Sequence, residues 1–510
     1  AIWDPDARLN PGKLIDADPV DAHLRLGPTY DPAQPATHFQ YPEDHGSFAR
    51  ATLRCVGVGK CRRTSADGKA PEDTMCPSYM VTRDEKHSTR GRAHLLWEML
   101  RGGDSPITGG FRDPHVKESL DLCLACKGCK SDCPVNVDMA TYKAEFLAQH
   151  WRGRLRPRHA YAFGLIDKWS RLASLAPGLV NLITHARPSA GPAKWLAGMA
   201  QAREVPRFAA QTFVSWFHDR DPDAAPSGAR PRVVLWPDTF NNHFHTETAR
   251  AAVRVLEAAG FTVIVPRQAM CCGRPLYDYG FLDLARSYLE RVLDGLAPYL
   301  EAGLPIVVLE PSCASVFRDE LHALMPERPA ARRLAAQTKL LSELLVERKC
   351  ALPELRRKAL VQGHCHHKSV LGYEAEQEVL QRMQVDAELL SSGCCGMAGS
   401  FGFEADPDKQ RVSNACGERV LLPALRQASG DTLIIADGFS CQTQIRAGSA
   451  RRGMHLANVL DLALRPAQAP SPELAPERER LPEQLAAAGL LCLAAGAWLA
   501  RRAYRAYAAP

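Results

Sequence analysis

Residues 123–134 read CLACKGCKSDCP, four cysteines spaced C-x2-C-x2-C-x3-C and followed by a proline. This is the run that holds cubane iron–sulfur clusters in bacterial ferredoxins. Three cysteines two residues apart wrap one face of a cluster, and the small residues between them leave backbone N–H groups free for its sulfides. Zinc sites use two separated C-x2-C knuckles instead. The fourth cysteine, before proline, ligates the other cluster of a pair in two-cluster ferredoxins. The run therefore calls for a partner segment elsewhere in the chain.

Residues 53–77, LRCVGVGKCRRTSADGKAPEDTMCP, supply one. Cys55 and Cys61 are six apart, Val58 stands midway where a ferredoxin places a cysteine, and Cys76 precedes Pro77. Under the crossing rule Cys123, Cys126 and Cys129 take Cys76 as fourth ligand, which completes one four-iron cluster. Reciprocally, Cys55 and Cys61 receive Cys133. With three thiolates, that second set admits a three-iron cluster, a four-iron cluster with an outside ligand, or none. The competing arrangement is a single cluster held by the whole 123–133 run, with Cys55, Cys61 and Cys76 structural.

The texture changes at Pro231. RVVLW reads as a buried strand, HTETARAAVRVLEAAG as an amphipathic helix and FTVIVP as a second strand, a βαβ signal. CCGRP follows at 271–275, and the strand PIVVLEPSC ends on Cys313. The pattern recurs: KALVQGHCHH runs into Cys365, CCGMAG occupies 394–399, and TLIIADGFSC ends on Cys441. Two units of roughly 120 residues form an internal repeat.

Neighbouring cysteines at a glycine turn direct two thiolates into one pocket, and the strand ends of open α/β sheets are where ligands bind. The second repeat offers Cys365, Cys394, Cys395 and Cys441. The first offers Cys271, Cys272 and Cys313, its counterpart of Cys365 falling near Asn241 and Asn242. The second is thus the better metal site. His364, His366 and His367 flank Cys365 as ligands or proton relays, although a histidine beside a site is more often structural. Cys350, Cys416 and Cys492 stand outside the patterns and read as plain buried cysteines.

Seventeen cysteines in tight groups point to metal or redox chemistry and away from disulfides. A formal charge of +6, from 63 basic and 57 acidic residues, is too dilute for a nucleic-acid partner. The fold class expected is α+β overall: an α-helical ferredoxin-type domain at 55–150, then two α/β CCG repeats at 229–350 and 351–465, then a helical C-terminal tail. A linker at 23–54 precedes these, and a helical segment at 151–228 joins them. In that segment Trp169, Trp195, Phe213 and Trp216 read as core rather than as a membrane-facing surface. Residues 466–482 read as a disordered linker. The hydrophobic tail at 483–510 carries an apolar run at the short end of a membrane-spanning length, so it divides between a packed helix and a membrane contact.

With these motifs in place, the chain resembles the iron–sulfur half of the FAD-linked D-2-hydroxyacid dehydrogenases, the D-lactate and D-2-hydroxyglutarate type. RCVGVGKCR, MCPSYMVTRDEKHSTRGRA and CLACKGCKSDCPVNVDMA resemble the ferredoxin insert of that family. DPDARLNPGK (4–13) resembles the end of a FAD-linked oxidase domain, which assigns 1–22 to a truncated domain of that kind. The CCG repeats are similar to those of the iron–sulfur subunit of anaerobic glycerol-3-phosphate dehydrogenase and of the CCG-bearing subunit of heterodisulfide reductase. The strand-end motifs CASV at 313 and CQTQ at 441 lack the second cysteine of the latter. The resemblance implies 4Fe-4S clusters here and FAD in a flavin domain, fused or separate, with no substrate base in this chain. It implies electron transfer from flavin to a quinone or an electron-transfer protein. A cytoplasmic location follows, peripheral to the inner face of the plasma membrane or tail-anchored there. The alternatives are a free-standing iron–sulfur subunit and a heterodisulfide-reductase-like thiol enzyme.

Overall fold

The computed structural model describes residues 30–63, 74–102, 105–220 and 230–465, with isolated positions before residue 30. The tail, the 466–482 linker, Cys492 and most of residues 1–22 lie outside the described residues. Among the described residues, no helix is long and apolar enough to cross a membrane.

The chain combines helices with parallel sheet. Strands β1 (Arg232–Leu235), β2 (Thr262–Ile264), β3 (Ile306–Val308) and β4 (Thr338–Leu340) form one sheet in the order β2-β1-β3-β4. Strands β5 (Lys358–Val361), β6 (Asp386–Leu389) and β7 (Leu433–Ile435) form a second, ordered β6-β5-β7. Every pairing between these strands is parallel. The five apolar runs are all strands. The two strands without such a signal, TKL and DAEL, sit at sheet edges, where one side needs no apolar partner.

The helix Thr246–Ala258 carries the β1-to-β2 crossover and buries Ala249, Ala252, Val253 and Leu256. That face meets Val233 and Leu235 of one sheet in a core that also contains Val361 and Ile435 of the other. The two sheets therefore share apolar packing. Their strand ends, where the cysteines follow, are held in fixed relation.

The cysteine-rich N-terminal part is built from short helices around Phe39, Phe48, Leu96, Leu100, Leu120 and Phe146, all essentially inaccessible to solvent. The second half of the expected 23–54 linker thus belongs to the core. Its anchor is Glu145, whose buried carboxylate accepts from the backbone N–H groups of His38 at 2.9 Å and Phe39 at 3.2 Å. Tyr142 adds a hydrogen bond of 2.8 Å from its hydroxyl to the Ala51 carbonyl. The Pro, His and Asp content that reads as linker hides an ordered strap.

The 155–225 aromatics divide. Phe213 is fully buried, whereas Trp169 and Trp195 are 47% and 62% exposed. The expectation of a core stripe fails there because the four helices between 158 and 197 lie on the outside of the molecule.

Candidate metal centres

The two N-terminal cysteine segments meet at a close backbone contact. Asp132 accepts from the N–H groups of Thr74 and Met75, both at 2.9 Å. Gly128 makes the approach possible, since a Cβ there would lie 2.9 Å from Met75 N and from Thr74 C. Cys76 follows directly, and its sulfur accepts from the N–H of Thr89 at 2.9 Å. Cys61 and Cys129 likewise accept from Arg90 and Met139, each at 3.4 Å. Such N–H donors stabilise thiolate.

Within this region Cys55, Cys61 and Cys133 line one small cavity together with Val58. Val58 is 60% exposed, so the position without a thiol faces solvent. Cys76 is within hydrogen-bonding reach of Cys61, and that contact draws the Cys61 thiol down from its ordinary value. Cys76 thus lies between the two sets, its preceding backbone on the Gly128–Asp132 turn and its sulfur against Cys61.

The second repeat brings its four thiols into one chain of contacts. Cys394 touches Cys365 and Cys395, and Cys395 touches Cys441. All four are nearly inaccessible. The hydrogen bonds from Cys394 and Cys441 hold the Cys395 thiol well below the usual range. The glycine of CCG is required by its backbone, with φ near 90° at Gly396 and 80° at Gly273 in the first repeat.

In the first repeat Cys272 and Cys313 have their sulfurs 2.9 Å apart, and Cys271 contacts Cys272. The counterpart of Cys365 is not Asn241 or Asn242. Cys365 lies four residues past the end of β5 at Val361, and four past the end of β1 at Leu235 is Thr239. Asn241 is occupied with Asp238, at 2.9 Å. The first repeat offers three thiols and a hydroxyl, the second four thiols. Buried thiols in mutual contact fit thiolate-bound metal, and the second set fits it better.

The histidines beside Cys365 take separate roles. His366 donates through Nε2 to the carbonyl of Ala125 at 3.0 Å. His367 faces Glu376 at 3.5 Å. His364 lies 4.0 Å from Glu310. Burial holds all three well below the ordinary histidine value and therefore neutral.

Several residues that join the two halves carry no motif. Arg274, directly after the first CCG, donates to the same Ala125 carbonyl at 3.3 Å and to Glu320 at 2.7 Å. Lys127, buried to 1% exposure, reaches Asp138 at 2.8 Å, Asp319 at 2.9 Å and Thr141 at 3.0 Å. Burial opposes its charge, and the carboxylates more than offset that. Cys126 packs with Cys365 and Cys394, and burial followed by the Cys365 charge pushes its thiol up. Cys416, read as a plain buried cysteine, is 2% exposed and packs in the same cluster. Its sulfur lies 3.7 Å from the carbonyl of Pro77.

A cavity of about 540 Å³ opens beside Cys365, bounded by Leu124, His364, Glu310, Phe439 and Trp169. Its walls are mostly apolar with a few converging polar groups, the composition of a small-molecule site.

These features are those of an iron–sulfur protein in which a ferredoxin-type segment packs beside a CCG-type cysteine set. Residues 51–137 match the family model described as a 4Fe-4S dicluster domain, and residues 238–318 match a cysteine-rich domain. The chain is similar to a D-2-hydroxyglutarate dehydrogenase of Pantoea ananatis, at 25% identity over 88% of this chain and 46% of the relative. It is also similar to the glycolate oxidase iron–sulfur subunit of Escherichia coli, at 22% identity over 80% of this chain and 93% of that protein. Lactate utilization protein A of Geobacillus kaustophilus is 30% identical over 45% of this chain and 98% of its own length. The chain belongs to the family of lactate utilization protein A. It spans about half the length of the D-2-hydroxyglutarate dehydrogenases that it matches.

Proposed function

We propose that the chain is the iron–sulfur electron-transfer part of a FAD-linked D-2-hydroxyacid dehydrogenase, of the D-2-hydroxyglutarate or D-lactate type. A flavin domain, fused or separate, takes hydride from the hydroxyacid and hands electrons to this chain, which delivers them to a quinone or an electron-transfer protein. Iron–sulfur clusters bound at the cysteine sets supply the one-electron steps. The observation that carries the reading is that Cys126 of the ferredoxin-type run and Cys365 of the second repeat lie in one buried cluster, close enough for the Cys365 charge to act on the Cys126 thiol. Two thiol sets stand side by side there, with the 540 Å³ cavity next to them.

The cluster ligands proposed are Cys123, Cys126, Cys129 and Cys76 for one 4Fe-4S centre. Cys55, Cys61 and Cys133 are proposed for a second. The CCG site is assigned to Cys365, Cys394, Cys395 and Cys441, with Cys271, Cys272 and Cys313 as its thinner counterpart. The contact of Cys76 with Cys61 makes Cys76 the residue to test. Iron and sulfide are quantified on anaerobic Cys76→Ser and Cys133→Ser proteins, with EPR on each. The crossed assignment expects each variant to lose a different signal. Loss of the same signal from both would assign Cys76 to the Cys61 set. The functional reading is tested with the flavin-bearing partner, since D-2-hydroxyacid should then reduce the EPR-active centres of this chain. Centres that stay oxidised while the flavin is reduced would refute it.

A further inference from the structure

Eleven large hydrophobic side chains are exposed among the described residues, and seven of them lie between residues 155 and 196. Scattered exposed apolar residues are ordinary, but this concentration is not. The helix Pro177–His185 is apolar in sequence and has no buried residue. The next helix, Arg187–Ala197, buries Ser189 alone. These helices are not loose. Asn181 donates to the Phe208 carbonyl at 2.8 Å, Trp169 to the Tyr161 carbonyl at 3.0 Å, and Arg158 stacks 4.4 Å over the Trp195 ring. An ordered surface therefore presents Trp169, Leu172, Leu175, Leu179, Trp195 and Leu196 to its surroundings.

The exposed charges within this stretch of sequence have one sign. Arg152, Arg154, Arg158, Lys168 and Arg187 are exposed. From Arg152 to Arg203 the sequence has one carboxylate, Asp167, and it is buried and paired with Arg171 at 2.8 Å. Tryptophan and leucine ringed by lysine and arginine are the composition of a helix that lies in a membrane interface. The absence of outward carboxylates in this stretch complements anionic headgroups.

We propose that the four helices between residues 158 and 197 seat the protein on an anionic lipid surface. Trp169 and Leu196 are at once exposed and part of the wall of the cavity beside Cys365. The seat therefore turns the cavity mouth toward the lipid phase, where a quinone resides. That last consequence rests on the electron-transfer reading above, whereas the lipid contact does not.

The test is co-sedimentation of the full chain with vesicles of phosphatidylcholine alone and of phosphatidylcholine mixed with phosphatidylglycerol. Binding to the mixed vesicles is expected, weakened by salt, and about tenfold weaker in Leu175→Glu/Trp195→Glu and in Lys168→Glu/Arg187→Glu. Both pairs are at exposed positions, and unchanged circular dichroism shows that they fold. Two results would overturn the proposal. One is vesicle binding that is absent, or equal in wild type and Leu175→Glu/Trp195→Glu, which would place any membrane contact elsewhere, as in residues 483–510. The other is protection of Trp195 from aqueous quencher on adding the flavin-bearing partner, which would make the surface a protein interface. Vesicle binding needs no electron transfer, so its failure is distinguishable from failure of the proposed activity.

Discussion

His366 Nε2 donates to the carbonyl oxygen of Ala125 at 3.0 Å, across 241 residues of sequence. Arg274, from the other repeat, reaches the same oxygen. Both CCG repeats thus grip one carbonyl inside the C-x2-C-x2-C loop, between Cys123 and Cys126. Ala125 adopts a left-handed φ of 50°, which turns that carbonyl outward to meet them.

This grip separates a structural histidine from a ligand. His366→Leu removes one donor and leaves Arg274 in place, so a destabilisation of about 1 kcal/mol is expected by thermal unfolding. Iron content should be unchanged. A fall in iron alongside the melting shift would make His366 a ligand instead.

Lys127 is a stronger point of attachment. Replacing it by Met leaves Asp138 and Asp319 with the half-exposed Lys130 as their remaining cation, so a loss below the ~3–5 kcal/mol of a fully unpaired buried charge is expected. Urea unfolding should show it, with Asp319→Asn milder because Lys127 keeps Asp138. Equal midpoints for Lys127→Met and wild type would mean that the ion-pair cluster is dispensable.

The two CCG sites should differ in metal affinity. Cys394 sits in the middle of the four-thiol chain and contacts Cys365 and Cys395. Cys394→Ser is expected to remove metal from the second repeat. Cys271→Ser should change total metal less, because the first repeat lacks a fourth thiol. Elemental analysis of both variants against wild type gives the comparison.

Glu310 should impose a pH dependence on stability. Burial, followed by the Asp238 carboxylate, raises it from 4.5 to about 7. The folded state therefore keeps a proton that the unfolded chain releases. That contribution is fully present below pH 4.5 and is lost as pH rises toward 7. Over that window wild type should lose up to about 3 kcal/mol relative to Glu310→Gln. Urea midpoints from acidic to neutral pH measure the difference, and a constant offset would mean that Glu310 is ionised throughout.

What the sequence determined by itself is local. Cysteine spacing specifies which thiols share a loop, and apolar runs of four or five residues mark five of the seven strands among the described residues, because both patterns arise from neighbours along the chain. The edge strand DAEL was not legible, since it has one paired side and exposed residues. The strap at residues 38–53 was hidden because its order comes from a carboxylate about a hundred residues away, Glu145. What only the tertiary structure decided is which thiol sets meet. Cys126 shares a buried cluster with Cys365, Thr239 takes the place of the missing cysteine, and Trp169 and Trp195 face outward. Each depends on contacts between segments far apart in sequence, and periodicity records whether a residue is apolar, not what covers it.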